Sequence, residues 1–300
     1  MSRKVAILLS AYNGEKYIEA QLESLLNQKD CEVEIFIRDD GSTDGTLKII
    51  NKLANRSQNI HVKSGKNIGY KDSFFELIFS VKGFDYYALS DQDDVWLEDK
   101  TSAAINFLEI CAGPALYASK KKYVDEFLRP LQIRDKSLPL NLDYGFFRGG
   151  ICGCTMVWNG EFHKMLNSYR PKQKFKSHDD YIRSLAISMG SETFLDVTPR
   201  ILYRRHSLNQ SLLPTQRLKR ITKYGLKKFG SRQDLKLICK DLLNGFKDKI
   251  ESDAQSFIEI LLSEDSLKKR FQLICSPHMK TDPPYEELLL KILILFKGID

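Results

Sequence analysis

No run of eighteen apolar residues occurs anywhere in the 300-residue sequence, so no segment is built as a bilayer-spanning helix. The amino-terminal apolar stretch, Val5 to Leu9, gives way at once to polar Ser10 and Asn13 and is too short for a secretory signal. Six cysteines, at 31, 111, 152, 154, 239 and 275, lack the paired spacing of a zinc site or a secreted disulfide scaffold. The close pair Cys152 and Cys154 sits in an apolar run and reads as core packing, so a reducing, cytoplasmic location is expected. Neither Gly-x-Gly-x-x-Gly nor Gly-x4-Gly-Lys-Ser/Thr occurs, which removes the backbone phosphate cradles of dinucleotide dehydrogenases and P-loop enzymes. Helix-turn-helix, zinc-finger and aromatic stacking motifs are also missing, and no nucleic-acid partner is expected.

Against these absences stand 42% hydrophobic and 28% charged residues, enough for one large domain or two unequal ones. The formal net charge of +7 is uneven. Arg217 to Lys249 carries eleven Lys or Arg against three Asp, a local +8, which suits an anionic membrane surface.

The densest chemistry is Asp91-Gln92-Asp93-Asp94-Val95-Trp96, which closes the apolar run Phe84 to Ser90. Carboxylates gathered where a strand stops repel one another unless a hard cation neutralises them. In an extended stretch Asp91 and Asp93 share a face while Gln92 points away. A solvated acidic turn capping a helix from about Leu97 is the plain alternative.

Strands alternate with helical patterns through the first half: Val5–Ser10, helix 15–28, Val33–Arg38, helix 45–54, Ile60–Lys63, helix 72–81, Tyr86–Ser90, then a helix near 100–111. That order predicts an α/β, Rossmann-like, mostly parallel sheet flanked by helices, with ligands at the carboxyl ends of the strands. Leu116–Ser119 reads as a short strand, 120–147 as irregular, and 149–158 as a buried strand entered through Gly149 and Gly150. A helix is expected from His178 to about Met189, and an extended segment over 194–203. Beyond Pro214 the pattern is helical and basic, which places a catalytic domain at 1–214 and a helical domain at 215–300.

Three strand ends, Ser10-Ala11-Tyr12-Asn13-Gly14-Glu15, Arg38-Asp39-Asp40-Gly41-Ser42-Thr43-Asp44 and Ser90-Asp91-Gln92-Asp93-Asp94, together resemble the family 2 glycosyltransferases of the GT-A fold over about 4–210. Asp-Gln-Asp-Asp-Val-Trp further resembles the branch that contains bacterial rhamnosyltransferases. The resemblance implies that Ser10, Tyr12, Asn13 and Glu15 line a nucleobase and ribose pocket, with Tyr12 flanking the base. Asp39 would accept from the ring N–H of uracil or thymine, and Asp40 would form the turn that holds it. Lys66 and Gly69, in Lys66-Asn67-Ile68-Gly69, resemble the donor-side loop. Asp91 would contact ribose or metal-bound water, and Asp93 would ligate Mn2+ or Mg2+. His206, in Tyr203-Arg204-Arg205-His206, would complete the coordination, with Arg204 facing the diphosphate. His178-Asp179-Asp180 resembles a His-Asp-Trp element whose Asp is the catalytic base. The alignment picks Asp179, and Asp180 stands on the acceptor side where an aromatic is common. Gly153-Cys154-Thr155-Met156 resembles the acceptor strand, with Trp158 either a sugar-stacking face or core.

Helix patterns over 218–229, 233–246 and 254–262, and the apolar end Leu288 to Phe296, are expected to meet the inner face of the cell membrane, the alternative being a helical subdomain packed on the catalytic domain or on a second copy of the chain. The combined expectation is an inverting, metal-dependent hexosyltransferase. It would use a dTDP- or UDP-sugar, with L-rhamnose as the favoured sugar, on a lipid-linked saccharide of surface polysaccharide synthesis. The rival readings are a non-catalytic nucleotide-sugar-binding scaffold at the membrane and a nucleotidyltransferase.

Overall fold

The computed structural model describes residues 3–148, 151–206, 232–263, 266–280 and 284–297. Two compact units divide the chain, one of Met1–Pro139, Gly150–Arg170 and Ser191–Arg204, the other of Leu140–Gly149, Pro171–Gly190 and Arg205–Asp300. The boundary expected near 214 lies outside the described residues.

In the first unit, Val5 to Leu9 have no exposed surface, as a strand covered on both faces requires. They form the middle of β1 (Lys4–Ala11), which pairs in parallel with β2 (Glu32–Asp39) and β4 (Tyr86–Ser90). Strand β3 (Ile60–Ser64) pairs in parallel with β2. Helices α1 (Ile18–Leu26), α2 (Thr46–Ala54) and α3 (Tyr70–Ser80) connect these strands. Ile18, Leu22 and Leu25 recur at helical spacing on α1 and pack into the core with Ile35 and Ile37. The ends of β1, β2 and β4 therefore reach one edge side by side.

The sheet continues as β5 (Val95–Trp96), β6 (Ala115–Val124), β7 (Met156–Asn159) and β8 (Glu192–Arg204), in the order β3-β2-β1-β4-β7-β6-β8-β5. It is mixed: β7 runs antiparallel to β4 and β6, and β5 antiparallel to β8. Several elements differ from the sequence expectation. Strand β6 runs ten residues because Lys120 to Lys122, read as loop, continue the parallel ladder with β8 through two register shifts. Among the described residues of 149–158, a strand begins only at Met156. Gly153–Thr155 is a 3-10 turn, tightened where the Thr155 hydroxyl and N–H both donate to the Cys152 carbonyl (2.7 and 3.0 Å). Gly149 and Gly150 lie outside the described residues. Helix α4 spans Lys100–Leu108.

In the second unit, α5 (Leu142–Arg148) replaces part of the stretch read as irregular. Helix α6 (Gly160–Asn167) belongs to the first unit and starts where Asn159 Oδ1 accepts from Phe162 N–H (3.0 Å). Helix α7 (His178–Ser188) buries Tyr181, Ile182 and Leu185. It is followed by α8 (Arg232–Phe246), α9 (Ser252–Leu262), α10 (Leu267–Ile274) and α11 (Pro284–Lys297). The helix expected over 218–229 and most of the basic run lie outside the described residues. The apolar end is split: Leu290 and Ile294 are buried, while Leu288 and Ile292 are exposed, as are Leu267 and Phe271 on α10. Among the described residues no helix is long and apolar enough to cross a membrane.

Candidate active site

Residue Asp39 ends β2 nearly buried, with Oδ2 accepting from Ser42 N–H (3.2 Å) and Oδ1 buried without a hydrogen-bond partner. A buried carboxylate oxygen left unpaired is costly unless a ligand supplies the donor. Adjacent Tyr12 presents 46% of its surface to solvent. An aromatic face and an unpaired acceptor at neighbouring strand ends are what a base carrying an N–H requires.

The residues around them hold the loops in place. Asp40 accepts from Ile68 N–H (2.8 Å) and Gly69 N–H (2.9 Å) and pairs with Arg38, so both of its oxygens are engaged in anchoring the Lys66–Gly69 loop. Lys66 itself is exposed, and Gly69 adopts φ +85°. Asn13, at φ 49°, accepts from Thr43 N–H at Oδ1 (2.8 Å). Glu15 Oε2 accepts from Gly45 N–H (2.9 Å) at the amino end of α2, where a carboxylate is favoured. Ser10 Oγ donates to Ser73 Oγ (2.7 Å). Of the four residues expected to line the pocket, Tyr12 keeps its side chain exposed, whereas Ser10, Asn13 and Glu15 brace the surrounding loops.

Gln92, read as pointing away, bridges two loops. Its Oε1 accepts from Tyr12 N–H (2.8 Å) and its Nε2 donates to the Tyr12 carbonyl (2.9 Å). Nothing in the Gln92 position announces this, because the bond partner lies 80 residues away.

The acidic loop is organised by Arg204. Its backbone N–H donates to Asp94 Oδ1 (2.9 Å), its Nε to the Asp93 carbonyl (2.8 Å) and its Nη1 to the Glu126 carbonyl (2.7 Å), while the guanidinium lies over Tyr17. Arg204 is buried, and it clamps the loop rather than offering its fork to a diphosphate. Asp94 is buried with Oδ2 unpartnered. Burial first, then the charges of Asp93 and Asp91, push its carboxyl well above the usual range. Ligand atoms of Asp91, Asp94 and Cys154 lie within 4.8 Å of one another, the three-residue grouping among the described residues with metal-ligand spacing. Asp93 follows Asp91 in the same loop but is not in that grouping. His206 belongs to the second unit, two residues after Arg204 in sequence.

Behind the loop, Lys100 is fully buried, with Nζ 3.3 Å from the centroid of the Trp96 ring. Burial lowers its pKa from 10.5 to about 7. Between those values the unfolded chain holds the proton and the folded chain does not, so stability rises with pH across that window and the penalty is full below it. Lys100→Met is expected to stabilise the fold by about 2 kcal/mol near pH 6, net of the lost ring contact, with the gain vanishing toward pH 10.5. Thermal melts of both chains from pH 5 to 10 measure this, and a pH-independent difference would refute it.

Trp158 is entirely buried, stacked on Tyr87 and donating from Nε1 to His163 Nδ1 (3.3 Å), so it is core and offers no face to a sugar. Cys154 and Thr155 are buried, and Gly153 opens the short turn that carries them.

In the second unit, Ser177 Oγ caps α7 by accepting from Asp180 N–H (3.1 Å). Asp180 is paired with Arg183 (2.8 Å) along the helix. Asp179 Oδ1 lies 2.7 Å from Nε2 of buried His178, a close ion-pair contact in the first turn of the helix.

The family described as Glycosyl transferase family 2 matches residues 6–210. The chain is 34% identical over 212 residues to the dTDP-rhamnosyl transferase RfbG of Shigella flexneri, covering 67% of this chain and 73% of that one. It is 39% identical over 105 residues to the Escherichia coli glucosyltransferase WfaP, which acts on GlcNAc-diphosphoundecaprenol, covering 35% of this chain and 41% of that one. The fold superposes on Staphylococcus aureus TarS 1-349 in complex with UDP-GlcNAc with TM-score 0.61 at 17% identity, covering 99% of this chain and 82% of that chain. It also superposes on the Pyrobaculum calidifontis mannosyltransferase PcManGT, in complex with GDP-Man and Mn2+, with TM-score 0.51 at 16% identity, covering 100% and 82%. The fold is GT-A, and the chain belongs to glycosyl transferase family 2.

Proposed function

We propose that this glycosyltransferase moves a hexosyl unit, with L-rhamnose the favoured sugar, from a dTDP- or UDP-sugar to a hydroxyl of a lipid-linked glycan in surface polysaccharide synthesis, with inversion. The observation that carries the proposal is the buried, partnerless carboxylate oxygen Asp39 Oδ1 at the end of parallel strand β2, beside exposed Tyr12. Asp39 accepts from the ring N–H of the base while Tyr12 flanks it. The oxygen-rich donor set of the acidic loop fits a divalent cation, Mn2+ or Mg2+, and Asp91, Asp93 and His206 would hold it. Such a cation supplies charge neutralisation for the departing nucleoside diphosphate. Asp179, beside His178, takes the proton of the acceptor hydroxyl as that oxygen bonds to the anomeric carbon from the side opposite the breaking sugar–phosphate bond. Gly153 to Thr155 and Asp180 stand on the acceptor side. The 34% identity to a dTDP-rhamnosyl transferase supports the donor sugar.

Association with the inner face of the cell membrane belongs to the same proposal. Exposed Leu267 and Phe271 on α10, a helix whose charges are Lys268, Lys269 and Arg270, suit an anionic lipid surface. A second copy of the chain is the other occupant of that face. One experiment addresses both parts: UDP-, dTDP- and GDP-sugars with Mn2+, read by thermal shift and nucleoside diphosphate release, with and without anionic vesicles. The expected result is a dTDP or UDP preference and pelleting with anionic but not zwitterionic vesicles. Silence toward every donor would overturn the enzyme reading, and dimerisation without vesicle binding would overturn the membrane part.

A further inference from the structure

Arg38 is 3% exposed, yet it carries a charge that costs several kcal/mol to bury unless it is compensated. Its guanidinium is engaged in several directions. Nη1 pairs with Asp40 and donates to Ser73 Oγ (3.3 Å), Nε donates to Glu76 Oε2 (2.9 Å), and Nη2 donates to the Lys66 carbonyl (3.1 Å). Side chains two apart on a strand share a face, which places Arg38 beside Asp40 and turns Asp39 to the other face. Ser73 in turn is bonded to Ser10 at the end of β1.

The arms to Asp40 and to the Lys66 carbonyl lead to the loop that follows β3, next to Asp39. Asp40 holds Ile68 and Gly69, Lys66 is held through its carbonyl, and the Asp39 carbonyl accepts from Gly65 N–H (3.0 Å). A Cβ on Gly65 would sit 3.1 Å from Arg38 Nη2, so the loop wraps closely around the guanidinium.

We propose that Arg38 is a positioning residue that fixes the Gly65–Gly69 loop against Asp39 and thereby sets donor affinity, without touching the reacting atoms. The planar fork is the reason for arginine here, since three separated nitrogens on a rigid frame meet four partners, whereas lysine keeps the charge but donates from a single nitrogen. The inference rests on the nucleotide-sugar site proposed above.

The test compares the full-length chain with Arg38→Lys and Glu76→Gln. Glu76→Gln removes only the half-exposed anchor and leaves Asp40 paired, so it keeps the test open if Arg38→Lys folds poorly. Nucleotide Kd is measured with dTDP and UDP in Mn2+, kcat at saturating donor, and amide hydrogen exchange at Ile68 and Gly69. Arg38→Lys is expected to raise Kd about tenfold with kcat within threefold, Glu76→Gln to raise Kd two- to fourfold, and both to speed exchange at the two amides. Unchanged Kd together with unchanged exchange in the folded variants would overturn the proposal. A wild-type chain that binds neither nucleotide would instead refute the site reading, while the exchange comparison would still decide the role of Arg38.

Discussion

Asp93→Ala is expected to lower donor turnover about a thousandfold, and EDTA to do the same to the wild-type chain, with recovery on adding Mn2+ or Mg2+. Nucleoside diphosphate departs with more negative charge than it carried as the sugar ester. Stabilising that charge is worth several kcal/mol, and about 4 kcal/mol corresponds to three orders of magnitude. Arg204 holds residue 93 through its backbone carbonyl (2.8 Å), a bond that alanine keeps. Folding should therefore survive, and a melting curve close to wild type is part of the expected result. Activity that persists through both chelation and Asp93→Ala would remove the cation from this mechanism.

Asp179→Asn is expected to cut sugar transfer by a hundredfold to ten-thousandfold, the usual contribution of a positioned general base, while donor Kd stays within twofold. Asparagine matches the shape and can still meet His178, but it cannot take a proton at neutral pH. Asp180→Asn removes the half-exposed charge partner of buried Arg183, a loss that falls on stability, and should cost transfer by the folded protein less than fivefold. The comparison decides between the two adjacent carboxylates and between enzyme and scaffold. Equal loss in both variants would reject the assignment of Asp179. Wild-type protein that binds donor but transfers to no acceptor, with or without membranes, would favour the scaffold.

The strands that carry the nucleoside end were legible because parallel strands covered on both faces leave uninterrupted apolar runs, as in Val5–Leu9 and Tyr86–Leu89, each stopping at polar residues. Helix α7 was expected from His178 to about Met189, and its cap, Ser177, shows only in the structure. The two-residue strand β5 and the second half of β6 were not, since pairing with β8 rather than composition makes them extended. Site residues divide along a similar line. A motif marks residue types at positions but does not say whether a side chain serves the ligand or the loop. Glu15, Asp40 and Arg204 all have their hydrogen bonds directed into the protein. Trp158 could not be placed from sequence because an indole suits both a sugar platform and a core, and only its stacking with Tyr87 decides. Gln92 was read as pointing away for the opposite reason, as it has no distinctive role until its partner Tyr12 is seen.

The bridge between Gln92 and Tyr12 has a consequence for how this sequence can change over time. A Cβ on Gly14 would fall 2.4 Å from Gln92 Oε1, so the amide already occupies the room that any larger residue at 14 would need. Positions 14 and 92 are thus coupled: a side chain at 14 displaces the Gln92 amide from the Tyr12 backbone, and a shorter residue at 92 opens space at 14 while freeing that same backbone.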